Sequence, residues 1–164
     1  YSAPGLRFKE RPFLDSLTSS THFVSPAVYG LVLAGAVFTP GLWAVLGAFF
    51  LWGIASHAFG AVQDIVADRE GGIASIATII GGRATVRFAL GAYLLAGVLL
   101  LFAPWPGSLA AVLALPYAVS ILPYISVRDE DAERANAGWK RFLWLNFVAG
   151  FGVTMLLIWT WLLG

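Results

Sequence analysis

Residues 16–63 read SLTSSTHFVSPAVYGLVLAGAVFTPGLWAVLGAFFLWGIASHAFGAVQ, a run of 48 residues without a single Lys, Arg, Asp or Glu. The whole chain has 164 residues, of which 59% are hydrophobic and 12% are charged, and its mean hydropathy is +0.81. A soluble domain carries about 25% charged residues. The composition therefore predicts an integral membrane protein.

Five segments are long and apolar enough to cross a bilayer, which takes about 20 mostly apolar residues in a helix. Because their apolar runs do not alternate strictly, they favour helices over barrel strands. Turn signals separate the first two at Thr39-Pro40-Gly41 and the next two at 103–107, and Pro116 predicts a kink. The predicted spans cover 20–38, 41–63, 86–103, 108–126 and 142–163. We expect an all-α, polytopic transmembrane helix bundle forming a single domain over residues 1–164.

The charged residues lie in three stretches: the N-terminus, the connection after the second span and the connection after the fourth. With five spans, all three stretches lie on one side of the membrane. The positive-inside rule predicts that this side is cytoplasmic and that the C-terminus is outside. We expect the membrane to be a bacterial cell membrane. A net charge of +1 offers no basic surface for nucleic acid, and the absence of Cys excludes thiolate catalysis and Cys-bound metals.

Asp64 and Asp68 follow the second span. If its helix continues to a stop at Gly71-Gly72, both carboxylates share one face with His57. Two carboxylates about 6 Å apart repel each other by about 3 kcal/mol at an effective dielectric near 20. Mg²⁺ would remove this repulsion, because it prefers oxygen ligands and keeps positions open for phosphate oxygens. The spacing leaves a second interpretation open, in which the pair only marks a helix end beside Arg69 and His57 has a packing role.

The N-terminal stretch carries Tyr1, Arg7 and Lys9 just before the first span. Ammonium, guanidinium and phenol groups donate hydrogen bonds to phosphate oxygens, so this stretch could bind a phosphate opposite the carboxylates. The alternative is a topology anchor attracted to anionic lipids. For Arg83 and Arg87 a topology role is the default, and the mixed-sign stretch 128–141 is expected to be solvated and without chemistry.

The stretch QDIVADREGGIASIAT, residues 63–78, resembles the second aspartate-rich motif of the UbiA superfamily of membrane prenyltransferases. There an Asp-x-x-x-Asp ends a helix and is followed by Gly and a Ser/Thr-Ile/Leu-Ala segment. The opening YSAPGLRFK, residues 1–9, is similar to the superfamily's Tyr…Lys loop. Within the superfamily, residues 56–87 and the stretch GWKRFLW, residues 138–144, are most similar to lycopene elongases, which make C50 carotenoids.

The resemblance implies a nine-helix fold with two Asp-rich motifs on the cytoplasmic side. The first motif does not occur in this sequence, so the chain corresponds to the last five helices, and a preceding N-terminal half would supply that motif. Asp64 and Asp68 would be the catalytic metal ligands for one Mg²⁺. His57 and Gln63 would contact these carboxylates without binding the metal themselves. Three residues would contact the diphosphate of an allylic substrate: Tyr1, Lys9 and, as a helper, Arg7.

The reaction implied by the resemblance is prenyl transfer from dimethylallyl diphosphate to lycopene. Metal clamps on a leaving diphosphate supply several kcal/mol of transition-state stabilisation, and an apolar pocket protects the allylic cation from water. One alternative is another acceptor, such as a quinone or a chlorophyllide-like ring. The other is a non-catalytic membrane or transporter fragment. A transporter should carry ionisable residues near the middle of the bilayer, where His57 is the one candidate.

Overall fold

The computed structural model describes residues 11–163, which form helices and turns with no strand among them. The α-helices are α1 (Leu14–Leu33), α2 (Pro40–Val62), α3 (Ile65–Glu70), α4 (Ile76–Ile80), α5 (Gly82–Leu100), α6 (Ala114–Ile121) and α7 (Asn136–Leu163). Three further segments are 3₁₀ helices: Gly107–Leu113, Leu122–Tyr124 and Asp129–Ala135. The predicted all-α fold is confirmed.

Helix α2 is the central element, since it packs against α1, α4, α5 and α7. It begins at the predicted turn, where the Thr39 hydroxyl accepts a hydrogen bond from Leu42 N at 3.2 Å and Pro40 occupies the first turn. A glycine permits the contact with α1, because a Cβ on Gly53 would lie 2.5 Å from Ser20 Oγ. The core is thus built outward from α2.

Aromatic rings fill the core where α2, α5, α6 and α7 meet. Phe142 stacks on Trp139 with ring centroids 4.7 Å apart and on Trp52 at 5.9 Å. Tyr93 and Tyr117 stack at 5.4 Å. Stacked rings of this kind contribute about 0.5–1.5 kcal/mol beyond the area that they bury. These contacts position the charged connections between the helices, because the same helices carry them.

The first predicted span, 20–38, differs from the observed helix α1. This helix starts earlier because Asp15, in its first turn, is buried and hydrogen-bonded rather than solvated. It ends earlier, at Leu33, because Gly35 adopts a positive φ of 66° and the neighbouring N–H groups return to carbonyls of the last turn, as in a Schellman motif. The predicted turn at Thr39 therefore follows a helix that has already ended.

Four segments of the described chain are long and apolar enough to cross a membrane: Pro40–Val62, Gly82–Leu100, Gly107–Tyr124 and Asp129–Leu163. Five had been predicted. Helix α1 has the length of a span, but Ser, Thr and His residues in its first half lower its hydropathy. The architecture is that of a multi-pass membrane protein, with four spans identified by length and hydropathy in residues 11–163.

The fourth and fifth predicted spans also differ in detail. Within 108–126 the helix type changes from 3₁₀ to α at Ala114. Pro116 falls in the first turn of α6, where an N–H has no intrahelical partner. The change of helix type directly precedes this turn, and the kink stays a prediction. Helix α7 begins at Asn136, before the predicted start at 142, because the connection that precedes it is itself helical.

Candidate active site

Asp64 and Asp68 lie on neighbouring turns at the junction of α2 and α3. The expected continuous helix is interrupted, since α2 ends at Val62 and α3 begins at Ile65. The interruption is small, because Asp68 N still donates to Asp64 O at 2.8 Å. The two side chains therefore keep the spacing of adjacent helical turns.

The end of α3 is the predicted glycine stop. Gly72 has a φ of 67°, and Ile73 N donates to Asp68 O at 2.8 Å while Gly72 N donates to Arg69 O at 3.2 Å. These two bonds form a Schellman motif, which favours glycine at the residue with positive φ. The motif turns the chain toward α4 directly after the carboxylate pair.

The electrostatics of the pair reflect its crowding. Partial burial raises the pKa of Asp64, and a hydrogen bond with the Gln63 side chain opposes this shift. Partial burial also raises the pKa of Asp68, the negative charge of Asp64 raises it further, and the Ser75 hydroxyl lowers it. When both carboxylates are ionised they repel each other, and a bound cation would reduce this repulsion.

The donor set of this pair fits a hard divalent cation. Carboxylate oxygens are the ligands that Mg²⁺ prefers, and one or two carboxylates with water and phosphate oxygens are its usual complement. Within residues 11–163, no group of three His, Asp or Glu side chains is arranged to hold a metal ion. Substrate and water oxygens would complete the coordination of such an ion.

The two residues expected to support the pair have different surroundings. Gln63 lies beside Asp64, and its Oε1 accepts a hydrogen bond from Asn136 Nδ2 at 2.6 Å, which connects the site to the start of α7. His57 lies at the α1–α2 contact, where its Nδ1 is 3.2 Å from Ser16 Oγ. The packing alternative for His57 matches this position, and its support of the carboxylates stays a prediction.

Asp15 is a neighbour of the site that was not predicted from the sequence. It is fully buried, and its Oδ1 accepts from Ser16 N at 2.7 Å while its Oδ2 accepts from Ile76 N at 2.9 Å. Ile76 begins α4, directly after Ser75, whose hydroxyl lies beside Asp68. The sequence holds one weak signal, because Asp15 is the last charged residue before the uncharged run.

The arginines of the charged connections form a separate cleft. Arg69 forms an ion pair with Asp129 at 2.7 Å and donates a hydrogen bond to Thr78 O at 2.9 Å. Its ion-pair partner is therefore Asp129 and not the carboxylate pair, beside which the alternative interpretation had placed it. Asp129 Oδ1 also accepts from Gly82 N at 2.7 Å and so secures the start of α5. The solvated stretch expected after the fourth span thus has a structural role. Arg83, Arg87 and Arg128 line the same cleft of about 1060 Å³.

Tyr1, Arg7 and Lys9 lie outside the described residues. The described chain begins with Arg11, whose carbonyl accepts a hydrogen bond from Asp15 N at 2.9 Å. The described chain from Arg11 onward therefore starts next to the contact between Asp15 and α4.

The family pattern of the UbiA prenyltransferases matches residues 1–148. The C(50) beta-cyclic carotenoids biosynthesis protein LbtBC of Dietzia sp. (strain CQ4) is 60% identical over 161 residues, which are 98% of this chain and 37% of that protein. A lycopene elongase/hydratase of Corynebacterium glutamicum is 49% identical over 158 residues, 96% of this chain and 55% of that protein. One of Haloarcula japonica is 35% identical over 164 residues, 100% of this chain and 52% of that protein.

The chain thus spans roughly half the length or less of these curated relatives, between 37% and 55%. No solved structure matches it significantly. The family match covers most of the chain and includes the segments on which the resemblance rests, residues 1–9, 63–78 and 138–144. The chain belongs to the UbiA prenyltransferase family.

Proposed function

We propose that the full-length protein transfers a prenyl group from an allylic diphosphate to a lipophilic acceptor in the membrane. The donor is dimethylallyl diphosphate, the acceptor is lycopene and the products are C50 carotenoids. The acceptor is chosen because relatives at 49% and 35% identity are named lycopene elongase/hydratase. Since the chain spans only part of these relatives, the proposal concerns the whole protein.

One observation carries the proposal: Asp64 and Asp68 lie on adjacent turns at the polar end of a membrane helix, where burial and mutual repulsion raise the pKa of Asp68. These carboxylates would hold Mg²⁺ together with diphosphate oxygens. The ion, when bound, supplies positive charge that neutralises the leaving diphosphate. Gln63, fixed by Asn136 at 2.6 Å, would orient Asp64.

Tyr1, Arg7 and Lys9 would donate hydrogen bonds to the same diphosphate. Support comes from Asp15, which follows Lys9 by only six residues and contacts the start of α4. There its Oδ2 accepts a hydrogen bond from Ile76 N at 2.9 Å. The first residue before α4, Ser75, faces Asp68. Cations close to this junction would complement the charge that develops on the leaving group.

In the reaction, the bond between C1 of the prenyl group and the diphosphate oxygen breaks, and its electron pair leaves with the diphosphate. The terminal double bond of lycopene supplies the electrons for the new carbon–carbon bond. The resulting cation loses a proton or takes up water. The role of the protein is to hold both partners and to keep water from the allylic cation, which an apolar helix bundle within the bilayer can do.

We place this chemistry on the cytoplasmic side and the C-terminus outside. The support is the charge distribution, since Asp64 and Asp68 share their side of the predicted topology with every basic residue of the chain. In contrast, residues 142–163 and the short connections at 39–41 and 103–107 carry no Asp or Glu. A cysteine-accessibility experiment on inverted vesicles would test this orientation, since residue 133 should be labelled in inverted vesicles and residue 163 only in right-side-out vesicles.

The function is tested by expressing the full reading frame in a lycopene-accumulating bacterium and analysing the carotenoids by mass spectrometry. We expect lycopene derivatives with one and two added five-carbon units. Asp64→Asn and Asp68→Asn should each abolish them at equal protein levels in the membrane. The matched control is Glu133→Gln, which removes an exposed carboxylate outside the site and should leave the products unchanged.

Two outcomes would contradict parts of the proposal. Unmodified lycopene in cells with the protein in the membrane would exclude lycopene as the acceptor, and a prenylated quinone or chlorophyllide-like ring would then identify the alternative. Full product yield from Asp68→Asn at limiting Mg²⁺ would exclude the carboxylate pair as metal ligands.

A further inference from the structure

Asp15 is the most completely buried carboxylate of the described chain, and both of its oxygens are engaged. Oδ1 accepts from Ser16 N at 2.7 Å within α1, and Oδ2 accepts from Ile76 N at 2.9 Å across 61 residues of sequence. Burial of a polar group is unfavourable unless hydrogen bonds compensate it. Asp15 therefore fixes the start of α4 relative to α1.

The start of α4 is itself well defined. Ser75 and Thr78 form a capping box, in which Thr78 Oγ1 accepts from Ser75 N at 2.8 Å and Ser75 Oγ accepts from Thr78 N at 3.3 Å. Ile76 is fully buried, so this turn cannot shift without disturbing the core. Whatever fixes Ile76 N therefore also fixes the Ser75 hydroxyl.

Ser75 connects this turn to the carboxylate pair. The loop before α4 is joined to Asp68 by the bond from Ile73 N to Asp68 O at 2.8 Å. The Ser75 hydroxyl also interacts with the Asp68 carboxylate, whose pKa it lowers. A second contact secures the other end, since Ser16 Oγ lies 3.2 Å from His57 Nδ1 on α2. The start of α1 is thus held against α2 and α4 together.

We infer that Asp15 is a positioning residue for the metal-binding carboxylates: through Ile76 N and the Ser75 hydroxyl it fixes Asp68. This inference rests on the proposed function, because it gives Asp68 a ligand role. Asp15 itself touches neither substrate nor metal. Groups that orient ligands in this way typically change metal affinity or activity 10–100-fold when they are removed.

The test uses the full-length protein in lipid nanodiscs with Asp15→Asn, which keeps the size of the side chain but supplies only one acceptor. Mn²⁺ affinity is measured by electron paramagnetic resonance in the presence of inorganic diphosphate. We expect about tenfold weaker Mn²⁺ binding. Hydrogen exchange over residues 73–80 should become faster, while exchange in the middle of α2 should not change.

The matched control is Ser20→Ala. Ser20 is also fully buried on α1, and its hydroxyl donates to Phe50 O on α2 at 2.6 Å. The substitution removes a buried hydrogen bond between α1 and α2 and does not touch α4. We expect a loss of thermal stability with unchanged Mn²⁺ affinity. If Asp15→Asn behaves like Ser20→Ala, with reduced stability and wild-type Mn²⁺ affinity, Asp15 has only a structural role and the inference is wrong.

A second pair of variants keeps the inference testable if Asp15→Asn does not fold. Ser75→Ala removes the hydroxyl that faces Asp68 and should weaken Mn²⁺ binding, while Ser75→Thr keeps a hydroxyl and should restore it. Because Asp15 and Ser75 act through one path, the double variant should lose no more Mn²⁺ affinity than the more strongly impaired of the two single variants. Additive losses would contradict this path.

The same experiments separate this inference from the proposed function. If Asp68→Asn binds Mn²⁺ as tightly as the wild type, the ligand role itself is wrong. If Asp68→Asn is impaired but both Asp15→Asn and Ser75→Ala bind normally, the metal site stands and only the positioning role is excluded.

Discussion

Replacement of Asp68 by Asn should make the protein more stable without metal and less stable with it. In the metal-free protein, burial and the charge of Asp64 both raise the pKa of Asp68, so the ionised form is less favourable in the folded state than in the unfolded state. Asn has the same size and can still interact with the Ser75 hydroxyl. The substitution therefore removes the cost of the charge and keeps the packing.

The magnitude follows from the geometry of adjacent helical turns. Charges about 6 Å apart interact by about 0.7 kcal/mol in water and by about 3 kcal/mol at an effective dielectric of 20. Asp64 is exposed, so screening places the repulsion nearer the lower value, about 1 kcal/mol. One kcal/mol shifts the melting temperature by about 2–4 °C in a protein of about 150–250 residues.

The effect of metal has the opposite sign. A ligand at a hundred times its dissociation constant stabilises the folded state by about 2.7 kcal/mol, which exceeds the repulsion that the substitution relieves. The wild type should therefore melt below Asp68→Asn in EDTA and above it in saturating Mg²⁺ with inorganic diphosphate. This reversal of rank separates a metal ligand from a carboxylate at a helix end.

The pH dependence gives a further check on the sign. An acid whose pKa is raised by folding destabilises the folded state only where it is ionised. The advantage of Asp68→Asn in EDTA should therefore be present at neutral pH and disappear as the pH falls through the raised pKa toward the ordinary value of 3.8. Thermal unfolding of the purified full-length protein, followed by tryptophan fluorescence, measures both effects.

Glu133→Gln is the control, because it removes an exposed carboxylate distant in sequence from the pair and should change the melting temperature little in either condition. A variant Asp68→Asn that is less stable than the wild type in EDTA at neutral pH would refute the repulsion argument. Equal gains from Mg²⁺ in the wild type and the variant would refute the ligand role.

Four other predictions test separate parts of the protein. Gly138→Ala should lower stability by about 1–3 kcal/mol, because its Cβ would lie 2.6 and 2.7 Å from atoms of two buried aromatic rings. Gly150→Ala, on the same helix with no atom within 4 Å, should raise it by about 1 kcal/mol in thermal unfolding. Asp129→Asn should leave Arg69 without its ion-pair partner and accelerate hydrogen exchange at the start of α5, whereas unchanged exchange would contradict the contact. Lys9→Ala should reduce kcat/KM for the diphosphate donor, and an unchanged value would remove Lys9 from the site.

The parts of the fold that were predictable depend on short-range rules. The run 16–63 carries no charge and is largely apolar, so it requires apolar surroundings in any tertiary arrangement. Membrane helices therefore follow from its composition. Thr39 and Pro40 begin a helix by local hydrogen bonding and by the fixed φ of proline, and Gly72 ends one because its positive φ is permitted without strain. The proximity of Asp64 to Asp68 is likewise set by the helical repeat.

The parts that were not predictable depend on partners far away in sequence. Whether Asp15 ends a span or lies within a helix is decided by Ile76 N, 61 residues later. Likewise Arg69 pairs with Asp129 rather than with the carboxylates one turn before it. A charged side chain has several partners within local reach, and only the packing of α1, α3 and α4 selects among them. The membrane helices and the spacing of the carboxylate pair therefore follow from local rules that can be read in the sequence. The buried hydrogen bonds that hold this pair in place depend on tertiary packing, because a buried polar group must find its partner wherever the packed chain provides one.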